Sequence, residues 1–282
     1  MLEIPHVRLI LSSRAENVLV VRQVLAGLAD AIDLDAVELN DIATAVTEAC
    51  NNVVIHAYDG EVGPLEVEIK LSASAVTVLV RDFGSGIRPR LRPVESATGG
   101  IGLPVIRVLS HAADFIDLTS EGGTEVRMEF ATLTANTIAV KHSPTEPPPL
   151  PAVSHPELQE TVGATIAPPS LAQSVLPRLL STLAARVHFS TDRISDAQAI
   201  ADALAAHASA ALAGEHLSVL VGIAPRTLIV HAGPLGGESE ASVLHEIVDG
   251  LGGTMERLYD GLQVASSDPQ SEILALQMAD ER

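Results

Sequence analysis

Residues 47–58 read TEACNNVVIHAY, and the spacing inside this stretch predicts a helix with two distinct faces. Glu48, Asn52 and His56 stand four residues apart, so on a helix they form one polar stripe. Ile42, Val46, Ala49 and Val53 repeat at helical spacing beside that stripe and predict a face turned to a core. A carboxylate, an amide and an imidazole on one helix face outline an active-site helix. An amide oxygen is a neutral hard ligand of the kind Mg²⁺ accepts beside phosphates and water. A carboxylate one turn away is placed to take a proton from an attacking hydroxyl. Asn51 is the neighbouring amide, but it falls outside the stripe.

Two Gly-rich segments follow. Residues 76–87, VTVLVRDFGSGI, read as a β-branched strand running into Asp82, Gly84 and Gly86. An acid at the end of a buried strand can accept a hydrogen bond from an exocyclic amine, and the glycines let a planar ring approach the backbone. Residues 98–109, TGGIGLPVIRVL, place Gly99, Gly100 and Gly102 before an apolar helical run, with Pro104 suited to its first turn. A Gly-rich turn that feeds a helix N-terminus presents unpaired N–H groups to an anion, so this segment reads as a phosphate cradle. Gly122, Gly123 and Thr124 come next, ahead of a strand over 125–130. Each cluster alone is an ordinary turn signal; their order carries the information.

That order resembles the GHKL (Bergerat-fold) ATPases, and within them the anti-sigma-factor serine/threonine kinase branch. The words that carry the resemblance are E-A-x-x-N-x-x-x-H-A-Y, D-x-G-x-G-I and G-G-x-G-L, and they lie in the first half of the chain. The resemblance implies that Asn52 holds Mg²⁺ and that Glu48 is the general base. It implies that Asp82 binds the adenine amino group with help from Gly84 and Gly86. Gly99, Gly100, Gly102 and Leu103 would close over the phosphates of ATP, and Thr124 would touch the adenine side. It also implies that Arg22, on the first helix, faces a docked partner, an anti-sigma-factor antagonist or a sigma factor. Arg88, Arg90 and Arg92 crowd the segment between the Gly boxes; a lid arginine there could neutralise a transferring phosphoryl group, and the alternative is an exposed, proline-extended lid.

Other kinase and nucleotide readings fail on context. Asp82-Phe83-Gly84 spells the DFG of eukaryotic-type protein kinases, but there is no HRD loop and the lysines, Lys70 and Lys141, lie in no VAIK-like strand. No GK[ST] occurs, which excludes a P-loop. About forty residues precede the key helix, too few for a phosphoacceptor hairpin plus a first strand and helix, which argues against a complete histidine kinase.

Composition narrows the function classes further. The chain of 282 residues carries 36 acidic and 17 basic side chains, a formal charge of −19. That field opposes nucleic acid and anionic membrane surfaces, so ATP recognition must rest on local N–H groups and Mg²⁺. Hydrophobic residues make up 47% and aromatics 2%, so the cores are expected to be aliphatic. Cys50 is the single cysteine, which leaves no disulfide framework or cysteine zinc site; its place near the apolar face reads as core. The N-terminus lacks the pattern of a signal peptide, and the longest apolar stretch, 216–233, is broken by Pro225 and Arg226. The expectation is a cytoplasmic protein.

The organisation expected is a two-layer α/β sandwich (an α+β, histidine-kinase-like ATPase fold) in tandem, the second copy degenerate. An ATP-binding domain spans 1–135, a Pro-rich linker with EPPPLP and APPS spans 136–170, with a short apolar pattern over 158–166 that would allow partial order, and the second copy spans 171–282. Within the first domain, strands are expected at 6–11, 65–72, 76–81, 114–118 and 125–130, and helices at 16–31, 36–57 and 103–110. His6 reads as structural. In the second copy, residues 194–211 align with 39–56, so Ala203, His207 and Ala211 stand where Glu48, Asn52 and His56 do, and Ala232-Gly233-Pro234 replaces Asp82-Phe83-Gly84. Paired strands at 216–223 and 227–231, a Gly-rich turn at 233–237, a helix at 241–251 and one last strand complete it. The leading expectation is a kinase that moves the γ-phosphoryl of Mg-ATP to a small antagonist protein. The rivals are a nucleotide-gated partner-binding module without turnover, which needs Asn52 and Asp82 but no Glu48, and a stand-alone ATPase.

Overall fold

The computed structural model describes every residue except 1–5, 73, 85–101, 119–121, 133–148, 212–215, 236–260, 269–270 and 281–282. The first half runs β1 (Val7–Ser12), α1 (Ala15–Ala31), α2 (Ala36–His56), β2 (Pro64–Leu71), β3 (Ala75–Asp82), α3 (Gly102–Leu109), β4 (Ala112–Asp117) and β5 (Thr124–Ala131). Every element expected from the sequence is present within two residues of its bounds. The second half runs β6 (Glu160–Ile166), a short 3₁₀ turn (Pro169–Leu171), α4 (Ala172–Arg186), α5 (Thr191–Ala211), β7 (Leu217–Ala224), β8 (Thr227–Leu235), β9 (Gly261–Asp268) and β10 (Ser271–Ala279).

The strands form one ten-stranded sheet in the order β4-β5-β3-β2-β1-β6-β7-β8-β10-β9, each neighbour antiparallel. Read outward from its centre, each half lays down its strands in the same sequence: first, second, third, fifth, fourth. Two helices of matching order follow the first strand in each half, and α2 and α5 are both 21 residues long.

Period-two burial fixes which face the helices cover. In β1, Val7, Leu9 and Leu11 are buried while Arg8, Ile10 and Ser12 are not. Leu65, Val67 and Ile69 of β2 and Val76, Val78 and Val80 of β3 continue the same buried layer beneath α1 and α2. Asp82 shares the parity of Val76, Val78 and Val80, so it too belongs to the helix-covered face. On the opposite face, Arg8, Glu66, Glu68, Arg81 and Glu125 form a ladder of ion pairs, with Arg8–Glu66 and Arg81–Glu125 both 2.5 Å.

α2 begins at a capping box: Asp35 accepts from Val37 N at 2.7 Å, and the Glu38 side chain accepts from Asp35 N. Ile42, Val46, Ala49 and Val53 are buried as the spacing predicts. Cys50 is fully buried on the same helix, and burial pushes its thiol up to about 12, so it is an inert core residue. His6 is buried, and its Nδ1 accepts from Leu71 N at 3.1 Å.

The two halves meet along β1 and β6, where Val7–Ile10 face Gly163–Ile166. The second half therefore opens with a strand inside residues 136–170, the stretch expected as spacer. Val162, Ala164 and Ile166 carry the alternating apolar signal. It is the short apolar pattern over 158–166, legible despite the prolines around it. Above this pairing α1 packs on α4. A Cβ on Gly27 would stand 2.3 Å from Ser174 O, so only glycine allows the two helices this approach. Asp30 and Arg178 pair across the same contact. Two second-half expectations change: the last strand is a pair, β9 and β10, and Ala232-Gly233-Pro234 lies within β8, whereas Phe83 and Gly84 have already left β3. The helix expected at 241–251 lies outside the described residues.

Candidate functional site

The site is built where α2, the exit of β3 and the start of α3 converge. Glu48 and Asn52 project from successive turns of α2, as four-residue spacing requires. Opposite them is Gly102, the first residue of α3. A Cβ on Gly102 would be 2.8 Å from Glu48 Oε2 and 3.6 and 3.7 Å from the two amide ends of Asn52. The start of α3 thus rests on the stripe itself, and glycine there leaves room for both side chains. Among the described residues, Asn52 Nδ2 is buried without a hydrogen-bond partner. Such an orphan is costly in a finished core, and it points to a group that the site receives. Which end of the amide faces that group is interchangeable on geometry alone.

Asp82 ends β3 and is 5% exposed. Its Oδ1 accepts from Gly84 N at 2.9 Å, and both the backbone N–H and the hydroxyl of Thr124 donate to it. Burial pushes the Asp82 carboxyl above its ordinary value, against these hydrogen bonds and with Asp117 adding to the rise. Thr124 reaches it because Arg81 pairs with Glu125, so the first residue of β5 lies beside the last of β3. Two glycines make this corner possible. A Cβ on Gly84 would meet Ala57 O at 2.0 Å, and one on Gly123, where φ is +101°, would meet Asp82 O at 2.0 Å.

Of the residues expected from sequence, Glu48, Asn52 and Gly102 meet along α2, and Asp82, Gly84 and Thr124 meet at its C-terminal end, where Gly84 abuts Ala57 O. Leu103 follows Gly102 with 46% of its surface exposed. Gly86, Gly99 and Gly100, like Arg88, Arg90 and Arg92, lie outside the described residues. His56 is exposed at the last turn of α2. Arg22 is exposed on α1, where its Nη1 donates to Thr47 Oγ1 at 3.3 Å, one residue from Glu48.

Tyr58 ends the word E-A-x-x-N-x-x-x-H-A-Y, but the sequence reading gave it no role. Its hydroxyl accepts from Phe83 N at 2.9 Å and donates to Pro64 O, so it joins the end of α2 to the residue after Asp82. The signal was present in the quoted stretch, but a tyrosine two residues beyond a helix has no periodicity to mark it. Among the described residues no cluster of His, Cys, Asp and Glu could hold a metal. Any cation here would rest on Asn52 and on the ligand's own oxygens, which suits Mg²⁺ carried by phosphates. No helix among the described residues is long and apolar enough to cross a membrane.

Comparison with known proteins agrees with this geometry. Residues 11–130 match the family described as Histidine kinase-like ATPase domain. The chain is 31% identical over 124 residues to an anti-sigma F factor of Thermoanaerobacter sp. (strain X514), covering 41% of this chain and 86% of that one. An anti-sigma F factor of Caldanaerobacter subterraneus subsp. tengcongensis matches at the same identity and coverage. The serine-protein kinase RsbW of Bacillus cereus (strain AH820) is 29% identical over 128 residues, covering 41% of this chain and 78% of its own. With α2, the Asp82 corner and the glycine start of α3 all inside the matched segment, the chain belongs to the histidine kinase-like ATPases, in the branch of anti-sigma F factors and RsbW serine-protein kinases.

Proposed function

We propose that the chain is an ATP-dependent serine/threonine kinase of the anti-sigma-factor type, acting on a serine or threonine of a small antagonist protein. The observation that carries this reading is the convergence of Glu48 and Asn52 on Gly102. A module that only binds nucleotide needs the amide and Asp82. It does not need a carboxylate held against the start of the helix that receives phosphate.

The residues divide the work as follows. Asp82 accepts a hydrogen bond from the adenine amino group, and Thr124 and Gly84 fix its carboxylate. The N–H groups at the start of α3 face the phosphate chain. Asn52 would hold Mg²⁺ through its amide oxygen. Bound there, Mg-ATP supplies the phosphoryl group to be transferred. Glu48 takes the proton of the incoming hydroxyl, and Arg22 lies on the face offered to the partner.

Asp82→Asn tests the nucleotide half of this reading. The amide presents a donor where a carboxylate accepted, and a lost charge-assisted hydrogen bond costs about 1.5–3 kcal/mol. Calorimetric ATP affinity should therefore fall roughly tenfold to a hundredfold. Wild-type affinity in this variant removes Asp82 from the adenine site.

The second half fits a degenerate copy of the first that serves as a built-in partner. Its strand order repeats that of the first half, and Ala203 and His207 occupy the positions of Glu48 and Asn52 along a helix of equal length. β6 already occupies the edge that β1 would otherwise offer to another chain. The full chain is expected to sediment as a monomer that binds one ATP. An isolated 1–135 segment, with that edge and the α1 face uncovered, should dimerise or aggregate. A full-length dimer together with a well-behaved monomeric first half contradicts this arrangement.

A further inference from the structure

We propose that Tyr58 is a positioning residue for adenine recognition, a tether that holds the Asp82 loop in register with α2. The inference rests on the ATP-binding reading above and adds a residue that touches neither base nor phosphate. The Tyr58 hydroxyl makes two bonds at once. It accepts from Phe83 N at 2.9 Å, next to the adenine-reading carboxylate, and it donates to Pro64 O at the start of β2.

Three close contacts show that this tether is built rather than incidental. Gly63 lies against the Tyr58 ring so tightly that a Cβ there would stand 2.2 Å from Cε1. Gly84, two residues beyond Asp82, abuts Ala57 O of the same helix end. The Asp82 carboxylate then folds back to accept from Gly84 N at 2.9 Å. Without the phenol oxygen, Phe83 N loses its acceptor and the peptide that follows Asp82 is free to turn. The carboxylate would keep its Thr124 bonds but lose its fixed position relative to Asn52.

The bond to Pro64 O needs the phenol proton, whereas either form of the oxygen accepts from Phe83 N. Burial pushes the Tyr58 hydroxyl above its ordinary 10, the bond from Phe83 opposes this, and the nearby Asp82 charge adds to the rise. The tether therefore stays intact throughout the physiological pH range.

Tyr58→Phe removes the hydroxyl and keeps the ring against Gly63. Affinity for ATP should fall about three- to tenfold, the order of one neutral hydrogen bond. Affinity for GTP, which lacks the exocyclic amine that Asp82 reads, should stay unchanged, so the ATP/GTP preference shrinks by the same factor. The rate at saturating ATP should remain within about twofold, because Glu48 and Asn52 stay in place. Gly63→Ala provides a second variant: the added Cβ displaces the ring with its hydroxyl intact, and the same loss of ATP/GTP preference is expected. Equal losses for both nucleotides, or an unaltered preference in both variants, overturns the tether. A wild-type chain that binds no adenine nucleotide sinks the ATP reading and the tether with it, whereas wild-type ATP binding beside an unaltered preference in the variants sinks the tether alone.

Discussion

Glu48→Gln should lower phosphotransfer by ~10²–10⁴, about 2.7–5.5 kcal/mol of barrier, with ATP affinity within about twofold of wild type. Glutamine is the informative replacement because Glu48 Oε2 stands only 2.8 Å from where a Cβ on Gly102 would lie. A side chain of the same length keeps that contact and the packing of α3 on α2. It retains hydrogen bonding and loses only the capacity to accept a proton at neutral pH. Single-turnover transfer of ³²P from γ-labelled ATP to a copurifying protein measures the step directly, with calorimetry on the same samples for binding. Full-rate transfer removes Glu48 from the role of base. A large loss of ATP affinity with an unchanged rate would place it in ground-state binding instead. No transfer by the wild-type chain, beside tight ATP binding, would favour the partner-binding module; phosphate release without a partner would favour the stand-alone ATPase.

The parts of this site that the sequence made legible are those with a local period. The stripe of Glu48 and Asn52 follows from helical spacing, and Asp82 follows from strand parity with Val76, Val78 and Val80, which turns it to the helix layer. Gly102 could be placed at the entry to a helix because the run that follows, 103–109, is apolar apart from Arg107. What escaped is non-local or masked by composition. α4 carries Pro177 in its interior, and a proline interrupts the pattern by which a helix is recognised. The apolar pattern of β6 is legible at 158–166 among its prolines, but its pairing with β1 is non-local. Tyr58 gains its role only once β3 returns beside the end of α2. The cluster that fastens the two halves joins Asn17 to Glu160, 143 positions apart, and to Arg186, 169 positions apart. No spacing rule links residues at that distance, and only the placement of β6 beside β1 brings them together.

That cluster is where the largest effect on stability is expected. Asn17 is fully buried; its Nδ2 donates to Glu160 Oε1 at 2.5 Å and to Ser12 O at 2.8 Å. Arg186 donates through Nη2 to Glu160 Oε2 at 2.6 Å and through Nη1 to Asn17 Oδ1 at 2.7 Å. Burial pushes the Glu160 carboxyl up, but the bonds from Arg186, Asn17 and Ser12, with the Arg186 charge, outweigh it and hold the group below its ordinary 4.5. A carboxyl depressed in this way stabilises the fold fully above its unfolded value, and that contribution is lost as the pH falls through the folded one. Arg186→Met keeps much of the aliphatic stem and leaves the Glu160 charge buried. Removing one partner of a buried pair costs about 3–5 kcal/mol. Arg14, 3.5 Å from Glu160 Oε2 and 43% exposed, supplies a weaker cation, so the lower end of that range is expected here. Against a typical total of about 5–15 kcal/mol, the loss should shift the urea midpoint clearly. The variant should also lose much of the decline in stability that the wild type shows between about pH 5 and lower values, since its carboxyl is no longer depressed. Glu160→Gln with Arg186→Met should recover part of the loss, because no charge is then left buried. A midpoint equal to wild type in Arg186→Met would mean that the seam is held by β1–β6 pairing and the α1–α4 contact alone.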